Sequence, residues 1–147
     1  MRFVCPVAIV LALLSAGCGE NTNVLPPTPP VAEATVTETF TGTVAMLNVA
    51  SHNFFVGTTG KLIVTLSSVR PTADPESSSD VLVGLGIGVP AGFSCALTLG
   101  VDASKTTQAS SAAQIRGTAI SGTFCVTIYD VGNLTDSVDY TITVAHS

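Results

Sequence analysis

The chain has 147 residues, of which 46% are hydrophobic and 10% are charged, and its formal net charge at pH 7 is −5. A chain of this length suits one domain with one core and leaves no room for a second. Five basic residues against ten acidic ones exclude a nucleic-acid-binding protein, which requires a basic patch.

The first segment in chain order is typical of an export signal. Arg2 supplies a positive charge, and the run from Val4 to Leu14 is apolar except for Pro6. Because this run is too short to span a bilayer permanently, the pattern predicts a cleavable signal peptide over residues 1–17.

Small residues precede Cys18. The stretch Leu14-Ser15-Ala16-Gly17-Cys18 resembles the lipobox of bacterial lipoproteins, in which the cysteine is acylated and the chain is cut just before it. The resemblance implies a lipid-anchored mature protein that begins at Cys18. Ser15 stands where the lipobox usually has leucine, so a second interpretation stays open, in which Cys18 is an ordinary residue after a conventional cleavage site.

Residues 18–32 form a polar and then proline-rich segment with no apolar periodicity. Prolines at this density favour an extended spacer that holds a domain away from a surface. A proline-rich ligand for a recognition domain is the alternative. Gly19, rather than aspartate, follows Cys18, which under the sorting rules of enteric bacteria favours the outer membrane. We expect an envelope protein anchored there by lipid, facing the periplasm or the cell surface.

The remaining segment, residues 33–147, is rich in threonine, serine, valine and glycine, a composition typical of secreted β-proteins. Apolar residues alternate with polar ones along most of it, and no amphipathic helix is evident. The alternation predicts an all-β domain, an antiparallel, jelly-roll-like β-sandwich of about eight strands. The predicted strands cover residues 34–46, 52–56, 62–66, 81–89, 95–99, 113–120, 123–129 and 138–144.

Two local patterns carry further predictions. Gly57-Thr58-Thr59-Gly60 separates two short strands, which we interpret as a hairpin. Gly84, Gly86 and Gly88 alternate with apolar residues in a later strand, so this glycine face must be either closely covered or unusually flat. Pro71 to Asp80 is predicted to be a polar loop, and no strand is predicted in the polar stretch from Asp102 to Ser111.

One pattern is carried by five strand segments, 54–56, 60–64, 79–83, 122–128 and 140–144. Together these segments resemble the bacterial pre-peptidase C-terminal domain, a jelly-roll-like sandwich found after secreted peptidases. The resemblance implies a binding or accessory module, since some members bind substrate and others bind calcium. This chain departs from the family in having no peptidase, and only Asp80 remains of the acidic run common before the middle strand.

Four cysteines occur in the chain. Cys5 lies in the predicted signal peptide and Cys18 is the predicted acyl acceptor, which leaves Cys95 and Cys125 as a pair in an oxidising compartment. The expected result is a disulfide, because a metal site would need further ligands at suitable spacing. Cys125 is out of phase with Phe124 and Val126, so the bridge is expected opposite the main core or near a sheet edge.

Candidate site chemistry is sparse. Asp130, Asn133 and Asp136 could supply oxygen ligands to calcium within one loop, although a turn uses the same residue types. No other cofactor is predicted.

The candidates for catalysis are fragments. Ser94 lies in Gly92-Phe93-Ser94-Cys95-Ala96, one glycine short of a nucleophile elbow, and the region predicts a strand rather than the required helix. His52 and His146 are the two histidines, and we interpret both as surface or strand-edge residues.

These observations predict a non-catalytic envelope lipoprotein that displays a small sandwich as a binding or accessory module. Its partners would be the membrane, through the lipid, and an unidentified protein or polymer. The alternatives are a structural surface subunit that self-associates through strand edges and, third, a small secreted hydrolase.

Overall fold

The computed structural model describes residues 30–31, 33–76, 80–98 and 103–147. The strands of this part are antiparallel throughout, and no helix occurs among the described residues. The strands are β1 (Val36–Val44), β2 (Val49–Val56), β3 (Gly60–Pro71), β4 (Val83–Ala91), β5 (Ser94–Leu97), β6 (Ser104–Thr107), β7 (Ile115–Ala119), β8 (Gly122–Tyr129) and β9 (Val138–His146).

Two sheets form the domain. The first sheet has the order β1-β9-β3-β7, and the second has the order β2-β8-β4, with β5 and β6 both paired to the far edge of β4. The predicted all-β, antiparallel sandwich is confirmed. Strand β6 lies inside the polar stretch 102–111, where no strand was predicted. The strand was missed because its short polar sequence has no apolar alternation.

The predicted hairpin between β2 and β3 is wrong. Strand β2 pairs with β8, and β3 pairs with β7 and β9, so residues 57–59 carry the chain from one sheet to the other. Val56 and Leu62, on either side of this connection, are both buried between the sheets. Apolar alternation along a strand shows which of its faces is buried, but it does not show which strand pairs with it.

The core lies between the sheets and is built from the predicted alternating residues. Each fully buried aliphatic side chain of this kind contributes about 1.5–3 kcal/mol. A register shift between Leu66 and Ser68 changes the phase of β3, so that Val69 also points inward. The central members are Val64, Leu66, Leu85, Val126, Ile128, Ile142 and Val144.

The glycine face of β4 is closely covered, the first of the two predicted possibilities. A β-carbon at Gly84 would overlap the Tyr129 ring, and one at Gly88 would overlap the backbone carbonyl of Ala96 on β5. The disulfide between Cys95 of β5 and Cys125 of β8 lies on this outer face, with Cα atoms 5.8 Å apart. The bridge is therefore opposite the main core, as the phase of Cys125 predicted.

Candidate functional site

One side of the sandwich contains an apolar groove. The groove lies between β7, at the edge of the first sheet, and the β5 and β6 edge of the second. Its volume is about 360 Å³, at the low end of the range of roughly 300–1,000 Å³ for small-molecule pockets. The lining is mostly apolar and comprises Leu62, Ile87, Thr98, Ala103, Ile115, Arg116, Gly117, Thr118, Ala119, Ile120 and Phe124.

Gly117 lies in the wall of the groove. Ile115 and Ala119, two residues away on either side, are buried, so Gly117 shares their inward phase on β7. A β-carbon built at Gly117 would meet no atom within 4 Å. The missing side chain thus leaves open space between the two sheets. The sequence analysis did not predict this groove. The signal available in the sequence was a glycine in the middle of a weakly predicted strand.

The opposite side of the sandwich, between β1 and β2, is closed by aromatic contacts. The rings of Phe40 on β1 and His52 on β2 stack with centroids 4.9 Å apart. His52 Nε2 lies 2.7 Å from the hydroxyl oxygen of Tyr140 on β9, which joins the two sheets by a hydrogen bond. Gly42 leaves the space that the Tyr140 hydroxyl occupies, since a β-carbon there would lie 2.6 Å from that oxygen.

Burial sets the protonation of this His–Tyr pair. Desolvation lowers the pKa of His52 from its ordinary value of 6.5 and raises the pKa of Tyr140 from 10.0. A neutral imidazole therefore faces a neutral phenol, and the tautomer of His52 decides which of the two groups donates the hydrogen bond. This arrangement stabilises the contact between the sheets and leaves neither group in contact with a carboxylate or nucleophile among the described residues.

His146 is buried, which corrects its interpretation as a surface or strand-edge residue. Its side chain is 2% exposed, and its Nε2 lies 3.0 Å from the Glu38 carboxylate on β1. The ring also contacts Phe54, with centroids 5.5 Å apart. Glu38 occupies the inward, apolar phase of β1, and this polar residue in an apolar position was the available signal. His52, on edge strand β2, lies where it was expected.

Ser94 does not lie in a nucleophile elbow. It opens β5, directly after the two-residue loop Gly92-Phe93 of a β-hairpin, and its hydroxyl donates to the backbone carbonyl of Ala91 at 2.9 Å. The histidines bind Tyr140 and Glu38 instead. The three candidate catalytic residues are thus engaged separately, and the absence of catalysis stays a prediction.

The calcium candidates lie in the connection between β8 and β9. The backbone N–H groups of Leu47, Gly132, Asn133 and Leu134 donate to the Asp130 carboxylate, and the bond from Leu47 is the largest cause of its lowered pKa. Asn133 and Asp136 instead line a separate cavity of about 100 Å³. The described residues include no group of three or more acidic, histidine or cysteine side chains placed to hold a metal ion. Asp130 therefore has a turn-capping role, and calcium binding stays a prediction.

The remaining predicted site residue, Cys18, lies outside the described residues. So do the predicted signal peptide and most of the proline-rich spacer, residues 18–32. In the described part of the chain, no helix has the length and apolar character needed to cross a membrane.

Comparison with known protein families finds no family model that matches this chain, and comparison with curated proteins finds no match.

Proposed function

We propose that this chain is a non-catalytic envelope lipoprotein whose β-sandwich binds a small apolar ligand. The groove beside β7 is the observation that carries this proposal. Leu62, Ile87 and Ile115 are at most 5% exposed and form its deeper wall, while Ile120 is 68% exposed at its margin. A recess with apolar walls and one exposed rim favours binding of an apolar molecule by burial of its surface.

The resemblance to the pre-peptidase C-terminal domain supports a binding or accessory role for the same module. The sandwich architecture agrees with that resemblance, although the same architecture serves many functions. In this proposal, export and lipidation at Cys18 bring the module to the cell envelope, at the outer membrane. The ligand occupies the groove, and the lipid holds the domain at its site of action.

The dye anilinonaphthalene sulfonate, an anion whose aromatic rings fluoresce in apolar sites, tests the groove. We expect the dye to bind the folded wild-type protein and not the Gly117→Leu variant. The leucine side chain would fill the open space, and its β-carbon would meet no atom within 4 Å. Gly57→Leu is the matched control, since a β-carbon at Gly57 would also meet no atom within 4 Å but would lie in the β2–β3 connection, outside the groove. Equal dye binding by all three proteins would refute the groove as the site.

The lipid anchor has its own test. Cys18→Ser should release the protein from membranes or block its processing. An unchanged membrane fraction would show that Cys18 does not carry the anchor.

A self-associating surface subunit is the second candidate. Strand β1 is a nine-residue edge strand without lysine or proline, the residues that commonly protect edges from pairing. Glu38 on its inward face opposes such pairing, which ranks this candidate second. Light scattering after size-exclusion chromatography measures the oligomeric state of the Cys18→Ser protein. A monomer would exclude the self-associating subunit.

A further inference from the structure

The end of the sandwich where the N-terminal segment enters also gathers three connections. Val36, at the start of β1, pairs with His146, and Gly60 pairs with Ala119. Val56 pairs with Gly122, and the β4–β5 hairpin extends toward the start of β8. We call this the tether end: the start of β1 with residues 57–59, 92–93 and 120–121.

The tether end exposes large apolar side chains on uncharged connections. Phe93 is fully exposed, and Ile120 is 68% exposed. Gly92, with φ of 63°, takes the first position of the two-residue β4–β5 turn and leaves Phe93 at the hairpin tip. No charged residue occurs in 81–101 or in 117–129. Exposed apolar side chains grouped in this way are typical of an interaction surface.

The opposite end of the sandwich is acidic. Among the described residues it carries two basic residues, Arg70 and Lys105, against six acidic ones. The two described acids of the tether end are Glu33, which forms an ion pair with Lys61, and Glu38, which contacts His146. The six acidic residues of the acidic end are Asp74, Glu76, Asp80, Asp130, Asp136 and Asp139. The acidic end also exposes apolar side chains, since Met46 is 55% and Leu47 is 88% exposed in the β1–β2 connection. The two ends therefore differ in charge, because the connections of the tether end expose apolar side chains without any charged residue.

We infer that the tether end docks on the surface of the lipid bilayer, with Phe93 and Ile120 inserted at the level of the headgroups. This inference rests on the proposed lipid anchor, which joins the domain at the same end. Aromatic and aliphatic side chains bind this interface favourably. The acidic end then faces away from the negative surface potential of anionic lipids. Docking in this orientation holds the groove margin at Ile120 next to the membrane.

The absence of tryptophan from the chain makes a direct test possible. The full-length protein, purified from a host that lipidates such chains, is reconstituted into phosphatidylcholine vesicles with bromine on the acyl chains. Single variants Phe93→Trp and Ile120→Trp report on the tether end. Met46→Trp is the matched control, because Met46 is 55% exposed in the β1–β2 connection at the acidic end.

We expect the bromines to quench the fluorescence of the Phe93→Trp and Ile120→Trp variants and to leave that of Met46→Trp unchanged. Vesicle-bound protein with no quenching at either tether-end position would overturn docking while the anchor stands. Quenching at Met46→Trp to the same extent would also overturn it. Blue-shifted emission without bromine quenching would assign the surface to a second copy of the chain. Protein that does not sediment with the vesicles would overturn the anchor and docking together.

Discussion

The two long sides of this sandwich differ in how the gap between the sheets is filled. Between β1 and β2 the gap is closed by stacked and hydrogen-bonded side chains, including the pairs His52–Tyr140 and Glu38–His146. Between β7 and the edge formed by β5 and β6 the gap stays open as a groove, and Gly117 contributes no side chain to fill it. In the proposed function, stability and binding therefore use opposite sides of one small domain.

The largest change in stability is expected at the edge strand beside the groove. Strand β5 has four residues and is held to β8 by the disulfide. Replacing both Cys95 and Cys125 with alanine should lower the free energy of unfolding by about 3–4 kcal/mol, because the bridge closes a loop with a separation of 30 residues. Urea unfolding measures this loss, and the reduced wild type should match the variant. Equal midpoints for the variant and the oxidised wild type would contradict it.

Gly88 lies in a closely packed region, whereas Gly117 faces open space. Gly88→Ala should cost about 1–3 kcal/mol, because its β-carbon would meet the backbone of Ala96, which has little room to move. Gly117→Ala is the matched substitution in open space and should raise stability by about 0.4–1 kcal/mol through the unfolded chain. Thermal unfolding of both variants measures the difference. Similar losses in the two proteins would mean that the groove is not open.

The closed side should depend on the hydrogen bond between Glu38 and the buried His146. Glu38→Ala leaves the buried His146 ring without its Nε2 partner and should cost about 1–3 kcal/mol. The control is Glu33→Ala, which removes the exposed ion pair with Lys61 and should cost less than about 1 kcal/mol. Urea unfolding measures the free energy of unfolding of both variants. An equal loss of stability in Glu33→Ala would contradict the larger role assigned to Glu38.

The smallest change is expected from the titration of His52. Burial lowers its pKa in the folded protein, so the unfolded chain takes up a proton first as the pH falls. The stability linked to His52 is complete above the ordinary pKa of 6.5 and is lost as the pH falls through that value toward the folded pKa. His52→Gln, which keeps an acceptor for the Tyr140 hydroxyl, should reduce this loss.

Unfolding in urea between about pH 7.5 and about pH 5 checks the His52 prediction, since His titrates in this range. The two proteins differ only at residue 52, so the comparison isolates the contribution of His52. Identical slopes of stability against pH for wild type and variant would show that His52 does not contribute.

Much of the fold was predictable because most of the longer strands have one buried face. Val138, Tyr140, Ile142 and Val144 alternate with polar residues in the sequence, and all four are buried in β9. The disulfide was also predictable, because Cys95 and Cys125 are the cysteines outside the predicted signal and anchor. Strand β6 was missed because Ser104–Thr107 has no apolar residue to mark a face.

The candidate site was less predictable, since it depends on strands that are distant in sequence. The groove brings together residues from Leu62 to Phe124, and the sequence does not show that Gly117 in its wall faces open space. Glu38 contacts His146 across 108 positions, and no local spacing indicates such a pair.

Most strand segments, the side chains that face the core and the pairing of the cysteines could all be derived from the amino-acid sequence. The physical reason is local, because burial of one face imposes a period of two on any strand. The tertiary structure was needed to show that β2 and β3 belong to different sheets, that β1 and β2 close one side, and that β7 leaves the other side open. Those outcomes follow from long-range packing between sheets, which apolar alternation within a strand does not encode.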